Sequence, residues 1–119
     1  VGVSMRITLY DFGRMVVDGE SHTKDVVVHP DRVEGSWWRK EGHNLAPDDL
    51  GSVWQTRPDV LVVGTGFHGN MRVPEETRRF ARSLGIELRA APTRQAVADF
   101  NGLASDPSRK VAAAFHLTC

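Results

Sequence analysis

Gly64-Thr65-Gly66-Phe67-His68-Gly69 is the stretch whose spacing comes nearest to a chemical motif. It matches G-x-G-x-x-G, which after a strand can lay a dinucleotide's pyrophosphate on the N-terminus of the next helix. The helix signal that follows argues against that use. It comes only at Pro74, so Asn70-Met71-Arg72-Val73 intervene where a dinucleotide fold already has its helix under way. Glu75 and Glu76 also occupy the positive end of that helix and would repel a phosphate. A Walker loop is excluded as well, because Asn70-Met71 stand where Lys and Ser or Thr are needed. What remains is a tight glycine turn at a strand's carboxyl end, where the backbone can approach a neighbour or a ligand closely.

The histidines His22, His29, His43, His68 and His116 show no paired ligand spacing, so the sequence predicts no metal site and calls for no cofactor. His43, in the polar turn Glu41-Gly42-His43-Asn44, is the best placed for function, whereas His116 in an apolar run reads as a packed core or rim imidazole. His116 and the single cysteine, Cys119, are three residues apart and are expected on opposite sides of a strand, which separates the thiol from its nearest base. Neither a G-x-S-x-G elbow nor an H-E-x-x-H helix occurs. No catalytic residue is therefore assigned. The candidate ligand or partner site gathers Trp38, Arg39, Glu41, His43, Gly64, Thr65, Gly66, His68, Gly69 and Arg72. In it the glycine loop would supply backbone N–H groups, Arg39 or Arg72 a charge clamp, and His43 or His68 a group that titrates near neutral pH.

Two kinds of element must position these residues. Ile7, Leu9 and Met15-Val16-Val17 flank the turn Asp11-Phe12-Gly13, and Asp18-Gly19 makes a second turn, so the chain opens on a hairpin. Asp25 to His29 forms a β-branched run stopped by Pro30-Asp31, and Val33 to Trp38 a further strand with Trp37 and Trp38 on opposite sides. A short helix starts at Pro47. From Val60 onward the order is β-α-β-α-β: the unbroken apolar run Val60–Val63 is a strand buried on both faces, and a helix from Pro74 carries Thr77, Phe80, Ala81 and Leu84 on one side. A strand follows at Ile86–Arg89, then a helix capped by Thr93 that turns Val97 and Phe100 inward, then a strand at Val111–Leu117. Strands joined by helices imply a parallel sheet with right-handed crossovers.

A chain of 119 residues with 40% hydrophobic and 25% charged residues reads as one α/β domain over residues 1–119. Its 15 basic and 15 acidic side chains cancel, which gives no overall field to attract nucleic acid or an anionic membrane. The apolar runs are far shorter than a membrane span, no secretory leader is recognised and one cysteine cannot form an internal disulfide, so a cytoplasmic protein is expected. Three tryptophans, Trp37, Trp38 and Trp54, exceed the needs of so small a core, and Trp is a frequent anchor of protein interfaces. Arg72, Arg78, Arg79 and Arg82 read as a solvated face.

Several phrases carry a resemblance together: Tyr10-Asp11-Phe12-Gly13, Asp25-Val26-Val27-Val28 with Pro30-Asp31, Trp38 to His43, Gly64-Thr65-Gly66 with Gly69 and Met71, and His116-Leu117-Thr118-Cys119. From Ile7 to Cys119 the chain resembles the small-domain family that includes the adipogenesis-associated domain protein and a mitochondrial respiratory complex I assembly factor. The resemblance implies a three-layer α/β domain, a central mixed sheet with helices on one side and added β structure on the other. It also implies an assembly or regulatory role toward a protein partner, and it supplies no catalytic residues.

Overall fold

The computed structural model describes residues 5–119. Strands β1 (Ile7–Asp11), β2 (Arg14–Val17) and β3 (Glu20–His22) form an antiparallel meander in that order. Its second turn needs left-handed backbone at both positions, and Asp18 and Gly19 supply it with φ of 48° and 82°. Strands β4 (Val26–Val28), β5 (Val33–Glu34), β6 (Val60–Gly64), β7 (Glu87–Ala91) and β8 (Val111–Phe115) form the main sheet in the order β5-β4-β8-β6-β7. β6 runs parallel to β7 and β8, and β4 runs antiparallel to β8. The sheet is thus mixed, with β8 at its centre.

Helices α1 (Gly51–Thr56, led by a 3-10 turn over Pro47–Leu50), α2 (Glu75–Ser83) and α3 (Thr93–Ala104) complete the fold. Its layering follows from handedness. The β6-α2-β7 and β7-α3-β8 connections run in opposite directions along the sheet, and two right-handed crossovers in opposite directions must lie on opposite faces. Accordingly Leu50, Val53 and Ala81 pack with Val27, Leu61, Val63, Ala112 and Ala114 on one face. Ile7, Met15 and Val17 of the meander pack with Ala96 and Phe100 of α3 against Val26, Val62, Ala113 and Phe115 on the other. The three layers are those expected, except that α3 shares its layer with the meander rather than lying beside α1 and α2.

Three local expectations need correction. The strand after Pro30-Asp31 covers only Val33–Glu34, because Ser36 adopts a left-handed φ of 54° and turns the chain before Trp37. Phe80 is not inside: the buried line of α2 is Thr77 and Ala81, small enough to seat the helix close to the sheet, and Phe80 falls at its margin with its ring 5.0 Å from Trp54. Thr93 does not cap α3, since Pro92 holds the cap position and the Thr93 hydroxyl is engaged elsewhere.

The difference between the two phenylalanines is measurable. Phe100→Ala, which empties a fully buried site, is expected to cost about 3–5 kcal/mol in chemical denaturation. Phe80→Ala should cost no more than about 1 kcal/mol.

Candidate functional site

The carboxyl ends of β6 and β8 lie side by side, with Gly64 paired to Phe115. Beyond that register the chain leaves the strand, and His116 to Cys119 is tied down by contacts from separate parts of the sequence. Gly13 N donates to Leu117 O, the Tyr10 hydroxyl donates to the same oxygen at 2.9 Å, and Phe67 N and Asn70 N donate to Thr118 O and Cys119 O. Burial raises the Tyr10 phenol above its ordinary value of 10.0, which keeps its proton available for that bond. The Thr93 hydroxyl donates to His116 O at 2.6 Å and accepts from Gly66 N at 2.9 Å, so one side chain joins α3 to both strand ends. Gly66, at φ 112°, passes so close that a Cβ there would stand 2.6 Å from Thr118 O. This is the close backbone approach that the glycine turn was expected to serve, with the protein's own chain as the neighbour.

At the centre lies an ionic triad. β4 is antiparallel to β8 with Val26 opposite Phe115, which sets Asp25 opposite His116. Asp25 Oδ2 is 2.8 Å from His116 Nδ1 and 2.9 Å from Arg39 Nη1, and Asp25 Oδ1 accepts from Leu117 N at 2.8 Å. Arg39 also donates to Gly42 O and lies with its guanidinium 4.6 Å from the Trp37 ring centroid. Its Nη2 stands 3.1 Å from His116 Nδ1, where a donor and a protonated nitrogen would oppose each other. The shorter contact to a carboxylate decides the tautomer: Nδ1 carries the hydrogen and donates to Asp25, and Arg39 is held by its attraction to the same carboxylate. Burial pushes the Asp25 carboxyl up, but the hydrogen bonds from His116, Leu117 N and the Arg39 guanidinium outweigh it and leave it below its ordinary value of 3.8. His116 Nε2 is buried and has no hydrogen-bond partner among the described residues.

The sequence-predicted residues divide into two groups. Gly64, Thr65, Gly66, His68, Gly69 and Arg72 belong to one loop system, and His43 joins it. Arg72 N donates to His43 O, the His43 ring meets the His116 ring edge-on at 5.9 Å, and Met71 N donates to Thr65 O. Gly69, at φ 71°, closes the turn by donating to Gly66 O. His68 is exposed against Phe67, whose ring also contacts Phe12 and lies beneath Arg94. Arg39 reaches the same centre from within, as a counter-charge to Asp25 rather than as a clamp open to solvent. Glu41 is exposed and forms an isolated bridge with Asn44. Trp38 points away: it is 75% exposed and lines a separate groove with Lys40, Asp48 and Asp49.

Sequence reading missed Asp25 and misplaced Cys119. The rule that residues three apart on a strand face opposite sides fails here because β8 ends at Phe115 and Cys119 lies in a left-handed turn at φ 44°. His43, His116 and Cys119 each bring a potential ligand atom within 4.8 Å of the others. A cluster drawn from three distant or irregular positions leaves no spacing to recognise. The one available signal was an acid, Asp25, at the mouth of an apolar strand, and reading it required the β4–β8 register.

Asp25→Asn is expected to lower stability at neutral pH by about 2 kcal/mol, since Arg39 loses its counter-charge while an acceptor for Leu117 N remains. The folded pKa of Asp25 lies below the unfolded one, so its ionic contribution is fully present above roughly pH 4 and is lost as pH falls through the folded value. The stability gap between wild type and variant should therefore be constant near neutrality and close in acid, as followed by urea denaturation at several pH values.

The fold recurs in other solved structures. A conserved hypothetical protein of Pyrococcus horikoshii is 26% identical with a TM-score of 0.81, covering 96% of this chain and 99% of its own. A structure from Bartonella henselae described as an outer membrane protein is 26% identical with a TM-score of 0.80, covering 98% of this chain and 97% of its own. A Mth938-like domain of Bordetella pertussis, 20% identical with a TM-score of 0.67 over 94% of this chain and 85% of its own, shares the fold. Among the described residues no helix is long and apolar enough to cross a membrane. The family model for proteins of unknown function DUF498/DUF598 matches residues 7–116, and the chain belongs to that family.

Proposed function

We propose that the domain is a non-enzymatic binding module that helps assemble or regulate a protein complex. This is also the role implied by the likeness to the adipogenesis-associated and complex I assembly relatives. The observation that carries it is Trp38. Trp37 and Arg39 on either side of it are buried, which forces the intervening indole outward, and it stands 75% exposed on a chain that hides most of its other large apolar side chains. An exposed indole fixed by buried neighbours is a preorganised anchor, with little side-chain entropy left to lose on docking. The groove beside it carries Glu34, Asp48 and Asp49 against one base, Lys40, a balance that suits a partner segment bearing Lys or Arg, with the indole face available to the cation.

A second reading is supported by a different observation. His43 and the Gly64–Gly69 loop, which could have lined different surfaces, meet at one strand end beside His116. That convergence suits a small-ligand site at the carboxyl edge of the parallel strands, where open α/β sheets take ligands.

Trp38→Ala is expected to change stability by no more than about 0.5 kcal/mol, because the side chain packs on little. Quantitative affinity purification from the native cell, with wild type, Trp38→Ala and the control Phe80→Ala in parallel, tests the first reading. A stoichiometric partner retained by wild type and Phe80→Ala and lost by Trp38→Ala supports docking through this indole; equal recovery on all three overturns it.

A further inference from the structure

We propose that His43, His116 and Cys119 bind one divalent transition-metal ion of the zinc class. The inference concerns the same strand end as the small-ligand reading and names what that site would take. The ligand atoms of the three residues all lie within 4.8 Å of one another. A tetrahedral zinc centre with bonds of about 2.0–2.3 Å brings its ligand atoms to about 3.3–3.8 Å, and the remaining distance can be closed by movement of the side chains on the solvent side. His43 is exposed on a short turn and Cys119 is partly exposed, so both can adjust, whereas His116 is only 6% exposed and fixed.

The fixed member carries the argument. His116 gives Nδ1 to Asp25 at 2.8 Å, and its Nε2 is buried without a partner among the described residues. A buried nitrogen left unpaired is costly, and of the residues with such an atom among the described residues His116 is the one that stands in a cluster of metal-ligating side chains. The carboxylate–imidazole pair is the arrangement in which metal-binding histidines are held: the carboxylate fixes the tautomer, orients the ring and increases the basicity of the nitrogen opposite. Two imidazoles and a thiolate are a borderline-to-soft donor set, which selects Zn2+ or its Co2+ analogue over Mg2+ and Ca2+. Asp25 offsets the Arg39 charge, and the thiolate offsets part of the ion's own. On binding, the Cys119 S–H bond breaks, an S–metal bond forms, and the proton passes to solvent. Three protein donors leave a fourth position open on the solvent side, where His43 is exposed.

The reduced full chain, stripped with EDTA and exchanged into chelator-free buffer, is titrated with Co2+ and with Zn2+. The expected result is one ion per chain, a thiolate-to-cobalt charge-transfer band, and a rise in thermal midpoint of about 10 °C at a hundredfold excess over the dissociation constant. Cys119→Ser should abolish the band, and Cys119→Ser and His43→Ala should each weaken Zn2+ binding by at least about tenfold. Both positions reach solvent, so both variants should fold. Asp25→Asn, if folded, should weaken binding by about 10–100-fold through His116 alone. Absence of one-to-one binding overturns the proposal, as does Zn2+ binding unchanged in both Cys119→Ser and His43→Ala. Alkylation of Cys119 by iodoacetamide that is rapid at neutral pH and indifferent to Zn2+ would also overturn it, in favour of a free reactive thiol. The broader small-ligand reading fails separately: a panel of nucleotides and sugar phosphates run in EDTA reports on it without metal, and a shift there abolished by His43→Ala would preserve it whatever the metal result.

Discussion

The carboxylate of Asp25 holds the carboxyl edge of the sheet together. One side chain accepts from Leu117 N, receives the His116 ring and neutralises Arg39, three groups that arrive from different directions at one strand end. Without a negative charge there, a guanidinium that is nearly buried would have no counter-ion, and the cost of burying it would fall on the fold. Ionisation of Asp25 is favoured by the groups it organises, so the arrangement is mutually supporting. Desolvation works against the charge, and the hydrogen bonds from His116, Leu117 N and Arg39 outweigh it.

Small residues set how closely the layers meet around it. β8 carries Ala112, Ala113 and Ala114 at the middle of the sheet, and these small side chains let layers on both faces approach closely. The glycines repeat the device at the edge: a Cβ at Gly64 would stand 2.8 Å from Phe115 Cδ1 and from Thr93 Oγ1, and one at Gly66 would strike the Thr118 carbonyl. Backbone thus lies close against backbone where β6, α3 and the His116–Cys119 segment meet. What remains accessible is the margin where His43 and Cys119 sit, together with the rings of Phe12 and Phe67.

Much of the architecture was legible in the sequence because it rests on local signals. The Asp18-Gly19 turn, the unbroken Val60–Val63 run and the Pro-initiated helices each depend on a few adjacent residues, and each stands where those residues imply. Trp37 and Trp38 do face differently, one buried and one exposed, but beyond the turn at Ser36 rather than on the expected strand. The site was legible only in half. His43 and the glycine loop announce themselves as polar turn and strand end, but the Asp25–His116 pair joins residues 91 positions apart through the register of two strands. No local pattern encodes that register. Cys119 was misplaced because a period of two was extended past the last paired residue of β8, where hydrogen bonds from Phe67 and Asn70 bend the chain instead. Phe80 shows the complementary limit: helical periodicity names a face, while the width of that face depends on how deeply neighbouring side chains let the helix settle.

The position of β8 has a consequence for how the molecule comes into being. It is the central strand of the main sheet and the last of that sheet's described strands in chain order, flanked by β4 and β6. Val26–Val28 and Val60–Val63 have β8 as their common partner, so without it each would present an open edge. Such edges invite pairing with other chains, and closing them demands contacts between residues distant in sequence. The placing of one strand therefore completes the sheet and, in the next few residues, brings His116 to Asp25.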